Sequence, residues 1–382
     1  MTPAVEPLPW EQKYRQLQHR RDILIIRLEE IRSALVLRVQ HEDAELLARL
    51  SPDPLKPRDT GYGLLPLIQE NAPMVPIWPK QTFYSLKWLE GRLNEELANA
   101  EKQSCQLTDT TVLDSRALVS GFEQSLEQLR ILEDHLSYHE QWQKAIVRYP
   151  EYFAEKNKLV ALARETNTAI RNDESPQRIA ALRRQLQKVA PFRPVSGLAL
   201  VSLEGGEKSL PLTVCTDIED QDFLQAFQSS VDDAFSRSPA ARAQRFSVNL
   251  KWRMIGADTL YPHGPPDRGA TIDLDSHLSL FPGCRFVLTT GAPSTKAIVG
   301  EHIVLGTDSV SRSTLAHEFG HLLGFEDAYV RGYDGNPGDP YGAVLVEWSG
   351  LTDDLMGASD GGQVSEELIE TLITAYGGPE AE

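Results

Sequence analysis

The sequence predicts an α+β protein, with an all-helical region of long, coiled-coil-like helices over residues 1–190 followed by a mixed α/β domain over 191–382. Three observations predict it. Leucines recur at heptad and helical spacing through the first half; the apolar pattern turns strand-like after the proline-flanked run APFRP at 190–194; and a helix carrying two histidines four residues apart follows the strands.

In the first half, Leu17, Leu24 and Ile31 recur at seven with Leu28 and Leu35 between them, which predicts one helix over 10–50 with a coiled-coil or bundle seam. Arg21 and Arg38 fall on that seam and limit how dry it can be, so an intramolecular bundle and a homodimer are equally compatible with it. Seven prolines between 51 and 80 exclude a continuous helix there. The apolar residues among them, Leu64, Leu65, Ile68 and Trp78 included, predict a loop that packs on something. Helical spacing resumes at Phe83, Leu86, Leu89, Leu93 and Leu97, and again from Val112 to Tyr149, with further helices at 151–171 and 177–189. His135 and His139 are four apart on the longest of these, but the apolar residues around them favour a solvated helix edge over a second metal site. Docking of a partner, dimerisation and covering of a cleft are all compatible with this half.

Composition bounds the partners. With 41% hydrophobic and 24% charged residues in 382, the chain reads as an ordinary globular protein of two or three domains. Its formal charge of -17 disfavours nucleic acid and anionic membrane as partners, since both would repel it. No basic segment followed by an apolar run opens the sequence, and no eighteen consecutive residues are apolar, so a cytoplasmic location is the expectation. The three cysteines, Cys105, Cys215 and Cys284, match no ligand spacing and are expected as reduced thiols.

In the second half, candidate strands lie at 197–203, 210–216, 246–255, 285–290 and 302–306, with a helix at 220–236 whose face is set by Phe223, Phe227, Val231 and Phe235. The stretch STLAHEFGHLLGFEDAY at 313–329 then carries the chemistry. His317 and His321 stand one turn apart on one helix face, a spacing that can bring two ring nitrogens to one ion. Glu318 beside them can take the proton of an attacking water, the base role that H-E-x-x-H supplies in metalloproteases. Leu315, Phe319 and Leu322 occupy the opposite face and can pack into a core. Gly324 can end the helix at φ > 0, and Asp327 then returns as a third ligand. No other cofactor-binding motif is present.

The pattern H-E-x-x-H-x-x-G-x-x-D resembles the metzincin signature in its snapalysin-like form, and Asp354-Leu355-Met356-Gly357 resembles the metzincin Met-turn, the methionine platform under the metal. The resemblance covers about 210–382. It implies a zinc (Zn2+) endopeptidase acting on a protein or peptide substrate, with His317, His321 and Asp327 on the metal, Glu318 as general base and Met356 beneath. It also implies that strand 285–290 is the antiparallel edge lining the cleft, where an extended peptide adds as one more strand. The tyrosine that the family places shortly after the methionine is missing; Tyr376, twenty residues on, and Tyr329, two after Asp327, are the candidates for its oxyanion-supporting role. Asp339, in a loosely aspzincin-like segment, and Glu347, at a gluzincin-like position, compete with Asp327 as third ligand, and Asp334 with Asp339 forms a weak calcium candidate beside a plain turn. The competing function is a helical scaffold or partner-binding protein whose protease-like domain is latent or inactive.

Overall fold

A computed structural model of the chain describes residues 8–51, 53–55, 61–71, 80–108, 114–189, 192–349, 353–358 and 361–377. Its helices are α1 (Pro9–Val39), α2 (Ala44–Arg49), α3 (Leu86–Thr108), α4 (Ser115–Arg148), α5 (Pro150–Arg171), α6 (Pro176–Val189), α7 (Gln221–Phe235), α8 (Pro239–Ala243), α9 (Ala257–Leu260), α10 (Leu274–Ser279), α11 (Arg312–Leu322) and α12 (Glu366–Tyr376). Its strands are β1 (Ile68–Gln69), β2 (Lys80–Tyr84), β3 (Val201–Ser202), β4 (Lys208–Thr216), β5 (Phe246–Met254), β6 (Phe286–Thr290), β7 (Lys296–Ile298), β8 (His302–Leu305), β9 (Val310–Ser311), β10 (Val330–Asp334) and β11 (Val344–Ser349). The protein is thus α+β, helical toward its N-terminus and mixed-sheet toward its C-terminus. Among the described residues no helix is long and apolar enough to cross a membrane.

The chain forms two compact units, neither contiguous: Met1–Pro57, Gln81–Val160 and Arg331–Glu347 in one, Arg58–Lys80, Ala161–Val330 and Trp348–Glu382 in the other. The composition shift at 190–194 falls inside the second unit. There Arg193 N donates to Gly324 O at 2.8 Å and Phe192 packs on Phe325, so the described part of that run is an anchor rather than a free connector.

In the first unit, α1, α3 and α4 pack together, and Leu17, Leu24, Leu28, Ile31 and Leu35 are buried against Leu89 and Leu93 of α3 and Phe122 and Leu129 of α4. The heptad seam is therefore filled within the chain, where each fully buried leucine contributes roughly 1.5–3 kcal/mol. The single helix expected over 10–50 is two. Asp43 accepts from Glu45 N at 2.9 Å and Leu46 N at 3.2 Å, and this cap starts α2 on amides that would otherwise be unpaired.

A three-stranded sheet in the order β10-β11-β2 belongs with these helices. His139 is wholly buried, with Nε2 3.2 Å from Ala343 O, and burial pushes its pKa down to about 4. His135 is half-buried between the rings of Tyr84 and Trp88. The solvated edge expected for this pair is thus corrected, because the 331–347 segment covers His139 and the Tyr84 and Trp88 rings cover His135. Glu347 is held by Arg331 Nε at 2.7 Å and Tyr138 OH at 3.1 Å, and Asp339 accepts from Asn336 Nδ2 at 3.1 Å within a turn.

The second unit is built on a six-stranded sheet. β5 and β4 pair in parallel along nine residues, β4 pairs with β6 and β6 with β8 in parallel, β7 runs antiparallel on β8, and β3 lies antiparallel beside the start of β4. The expectation that 285–290 forms the antiparallel edge is overturned. β6 is a parallel inner strand with all five residues buried, as its unbroken FVLTT run befits a strand covered on both faces. On the β8 side the sheet ends in β7, which is antiparallel and has Lys296 and Ile298 exposed.

Phe223, Phe227, Val231 and Phe235 bury the inner face of α7, and α11 packs across it through Phe319, whose ring lies 5.9 Å from Phe235 and 6.4 Å from Phe227. The described part of the proline-rich stretch, 61–71, does pack. Gly63 N donates to Thr290 Oγ1, β1 pairs with β9, and Asn71 Oδ1 accepts from Ser313 N at the start of α11. Cys215 and Cys284 are disulfide-bonded with Cα atoms 6.0 Å apart, so the expected reduced state is corrected for both, and the cytoplasmic expectation loses that support. Cys284 precedes β6, which pairs with β4 through Cys215 itself, and the sheet brings together two cysteines 69 residues apart.

Candidate metal centre

α11 begins where Ser311 Oγ caps Thr314 N at 2.9 Å and ends at Leu322, two residues before Gly324, which has φ +104°. A Cβ there would also stand 2.4 Å from Arg193 O, so the turn demands glycine on two counts. The chain then returns along the helix. Ala328 N donates to Met356 O at 2.8 Å, which ties the segment carrying Asp327 to the Asp354–Gly357 turn.

Each histidine is oriented from behind. His317 Nδ1 donates to Leu355 O and His321 Nδ1 to Phe325 O, both at 2.8 Å, which leaves Nε2 of each ring as the lone-pair atom facing forward. Both Nε2 atoms converge on Asp327 Oδ1, at 3.2 Å from His317 and 3.5 Å from His321. One ligand atom from each of the three residues lies within 4.8 Å of the others, and this is the one such group of three or more among the described residues. Two buried imidazoles preset by backbone acceptors, with a half-buried carboxylate, fit a divalent ion of zinc's preferences. The rival third ligands Asp339 and Glu347 are not in the group.

The electrostatics follow from burial and mutual contact. Burial opposes ionisation of Asp327, yet in the metal-free site the two imidazoles, when protonated, hold its carboxyl well below the usual carboxylate range. Burial works to lower the His321 pKa, and the Asp327 carboxylate outweighs it and raises it. Glu318 is 8% exposed and has no hydrogen-bond or ion-pair partner among the described residues; burial pushes its pKa up, against the pull of the two histidines.

Met356 lies 1% exposed beneath Gly320. Its turn is held by Asp354, which accepts from Met356 N at 2.8 Å and from Ser365 Oγ at 3.3 Å. The half-buried ring of Tyr329 is parallel to His317, at an angle of 8° and a centroid distance of 6.5 Å. Tyr376 has a different job from the one expected of it. Its buried OH donates to Leu323 O at 2.7 Å and accepts from Val195 N at 3.0 Å, so it bolts the 192–195 segment to the end of α11. The Leu355 and Phe325 carbonyls were not legible beforehand, since backbone acceptors carry no residue signature.

Scans against protein-family models, curated proteins and solved structures find no match to this chain. The metzincin resemblance therefore rests on the motif residues alone.

Proposed function

We propose that the unit carrying α11 is a zinc-dependent endopeptidase. The observation that carries this reading is the convergence of His317 Nε2 and His321 Nε2 on one Asp327 oxygen, beside a buried and unpartnered Glu318. Zinc bound by these three residues supplies Lewis-acid polarisation of the scissile carbonyl and makes water more acidic. Glu318 takes a proton from the attacking water on a carboxylate oxygen. As the water oxygen bonds to the carbonyl carbon and the C–N bond breaks, the same carboxyl gives that proton to the leaving nitrogen.

The substrate in this reading is an extended peptide laid along β7, whose outer edge has no partner strand among the described residues. Gly300 N donates to His321 O at 2.9 Å, which fixes the β7–β8 turn to the second ligand. The helical unit is a docking or regulatory element, because it contains the 331–347 segment that joins Asp327 to the Met356 turn.

The test uses the full chain. Glu318→Gln should keep its metal and lose cleavage of an unfolded protein by at least ~100-fold, the typical worth of a general base. Equal cleavage by the variant overturns the assignment of Glu318. Failure of the metal-loaded wild-type chain to cleave any unfolded protein favours the scaffold reading.

A further inference from the structure

We propose a second binding site in this unit, an anion pocket for phosphate-class ligands, inorganic phosphate and phosphomonoesters. A cavity of about 510 Å3 is lined by Arg237, Arg242 and Arg312, together with Asp233, Ser238 and Asn71. Asp233 is the one carboxylate there, and it is shared: Arg237 Nη1 reaches one of its oxygens and Arg312 Nη2 the other, each at 3.2 Å. Arg242 has no ion-pair partner among the described residues, and both Arg237 and Arg242 are exposed. Three guanidiniums against one carboxylate leave two positive charges on one concavity, in a chain whose net charge is -17.

The chemistry selects the ligand. Guanidinium forks bind tetrahedral oxyanions through paired N–H donors, and a local charge of plus two matches a dianion better than a monocarboxylate. The first turn of α11 also lines the cavity, and its positive dipole end adds in the same direction. The volume leaves room for an organic group behind a phosphoryl head. The acidic remainder of the protein repels free anions, so saturable phosphate binding would be a property of this pocket rather than of the general surface.

The pocket borders the metal centre from within the fold. Ala316 and Leu355 form part of its wall; Ala316 precedes His317 in α11, and the carbonyl of Leu355 accepts from His317 Nδ1. A ligand held there bears on the backbone that orients the first histidine.

Calorimetric titration tests the proposal with a readout independent of cleavage. Inorganic phosphate and, separately, acetate are titrated into the full chain after chelator treatment, so that a bound metal cannot be the phosphate ligand. One saturable phosphate site is expected, at least tenfold tighter than acetate and weakened tenfold or more in both R237Q and R242Q. Two exposed positions keep the test independent of any one variant's folding, which a melting curve for each verifies. Absence of phosphate binding by the wild type, equal binding of acetate, or unchanged phosphate affinity in both variants overturns the proposal.

Discussion

Met356 occupies the space that a side chain at residue 320 would need: a Cβ on Gly320 would stand 2.7 Å from the Met356 sulfur and 3.7 Å from Phe235 Cζ. A side chain between Phe319 and His321 would have to displace the Met356 thioether. Glycine lets the Met356 sulfur sit against α11 at the level between His317 and His321.

Gly320→Ala should cost about 1–3 kcal/mol in denaturant unfolding, the usual range for an added methyl in a packed core. Met356→Ala opens a void in the same place. The double variant should therefore be less destabilised than the sum of the two single changes, by 0.5 kcal/mol or more on the order of contacting pairs. Additive losses would show that the contact does not exist in solution.

Asp354 gives this unit a pH dependence of known sign. Burial raises its carboxyl from 3.8 to about 6, with the Met356 and Gly357 amides and Ser365 pulling the other way. The folded state holds the proton more tightly than the unfolded state, so the stabilising contribution is complete below about pH 4 and is lost as pH rises through about 6. Asp354→Asn is neutral throughout and keeps an acceptor for Met356 N. Its stability relative to wild type should rise between pH 4 and pH 7 by on the order of 2–3 kcal/mol, read from denaturant curves at each pH. A difference that stays flat across that range contradicts the buried state of this carboxyl.

The disulfide predicts a thiol count. Chain purified without reductant and unfolded should show one reactive thiol, from Cys105, and three after reduction. Cys284→Ser should destabilise the unreduced protein by roughly 2–4 kcal/mol. Three thiols before reduction would mean that Cys215 and Cys284 are not bonded.

The parts legible in the sequence were those fixed by local geometry. Histidines at i and i+4 share a helix face whatever surrounds them, and a glycine three residues later permits the turn that returns Asp327 to them. The long strands β4 and β5, the α7 face and the leucine seam of α1 likewise declared themselves by period. What escaped was set by distant partners. β7 has three residues, too few for any pattern, and only its pairing with β8 marks it as the sheet edge. β6 lies inside the sheet because β4 and β8 flank it, and His139 is buried because a segment two hundred residues later covers it. Asp43 broke the first helix through a side-chain cap that the heptad reading overrode.

The central claim is that His317, His321 and Asp327 together hold one divalent ion. Metal analysis of the full chain after equilibration with zinc and removal of free ion tests it most directly. Roughly one zinc per wild-type chain is expected, retained in Glu318→Gln and lost in His321→Ala and in Asp327→Ala, each checked for an intact fold by its melting curve. A wild-type chain that holds no zinc, or folded His321→Ala and Asp327→Ala chains that hold it as tightly as wild type, would contradict the account.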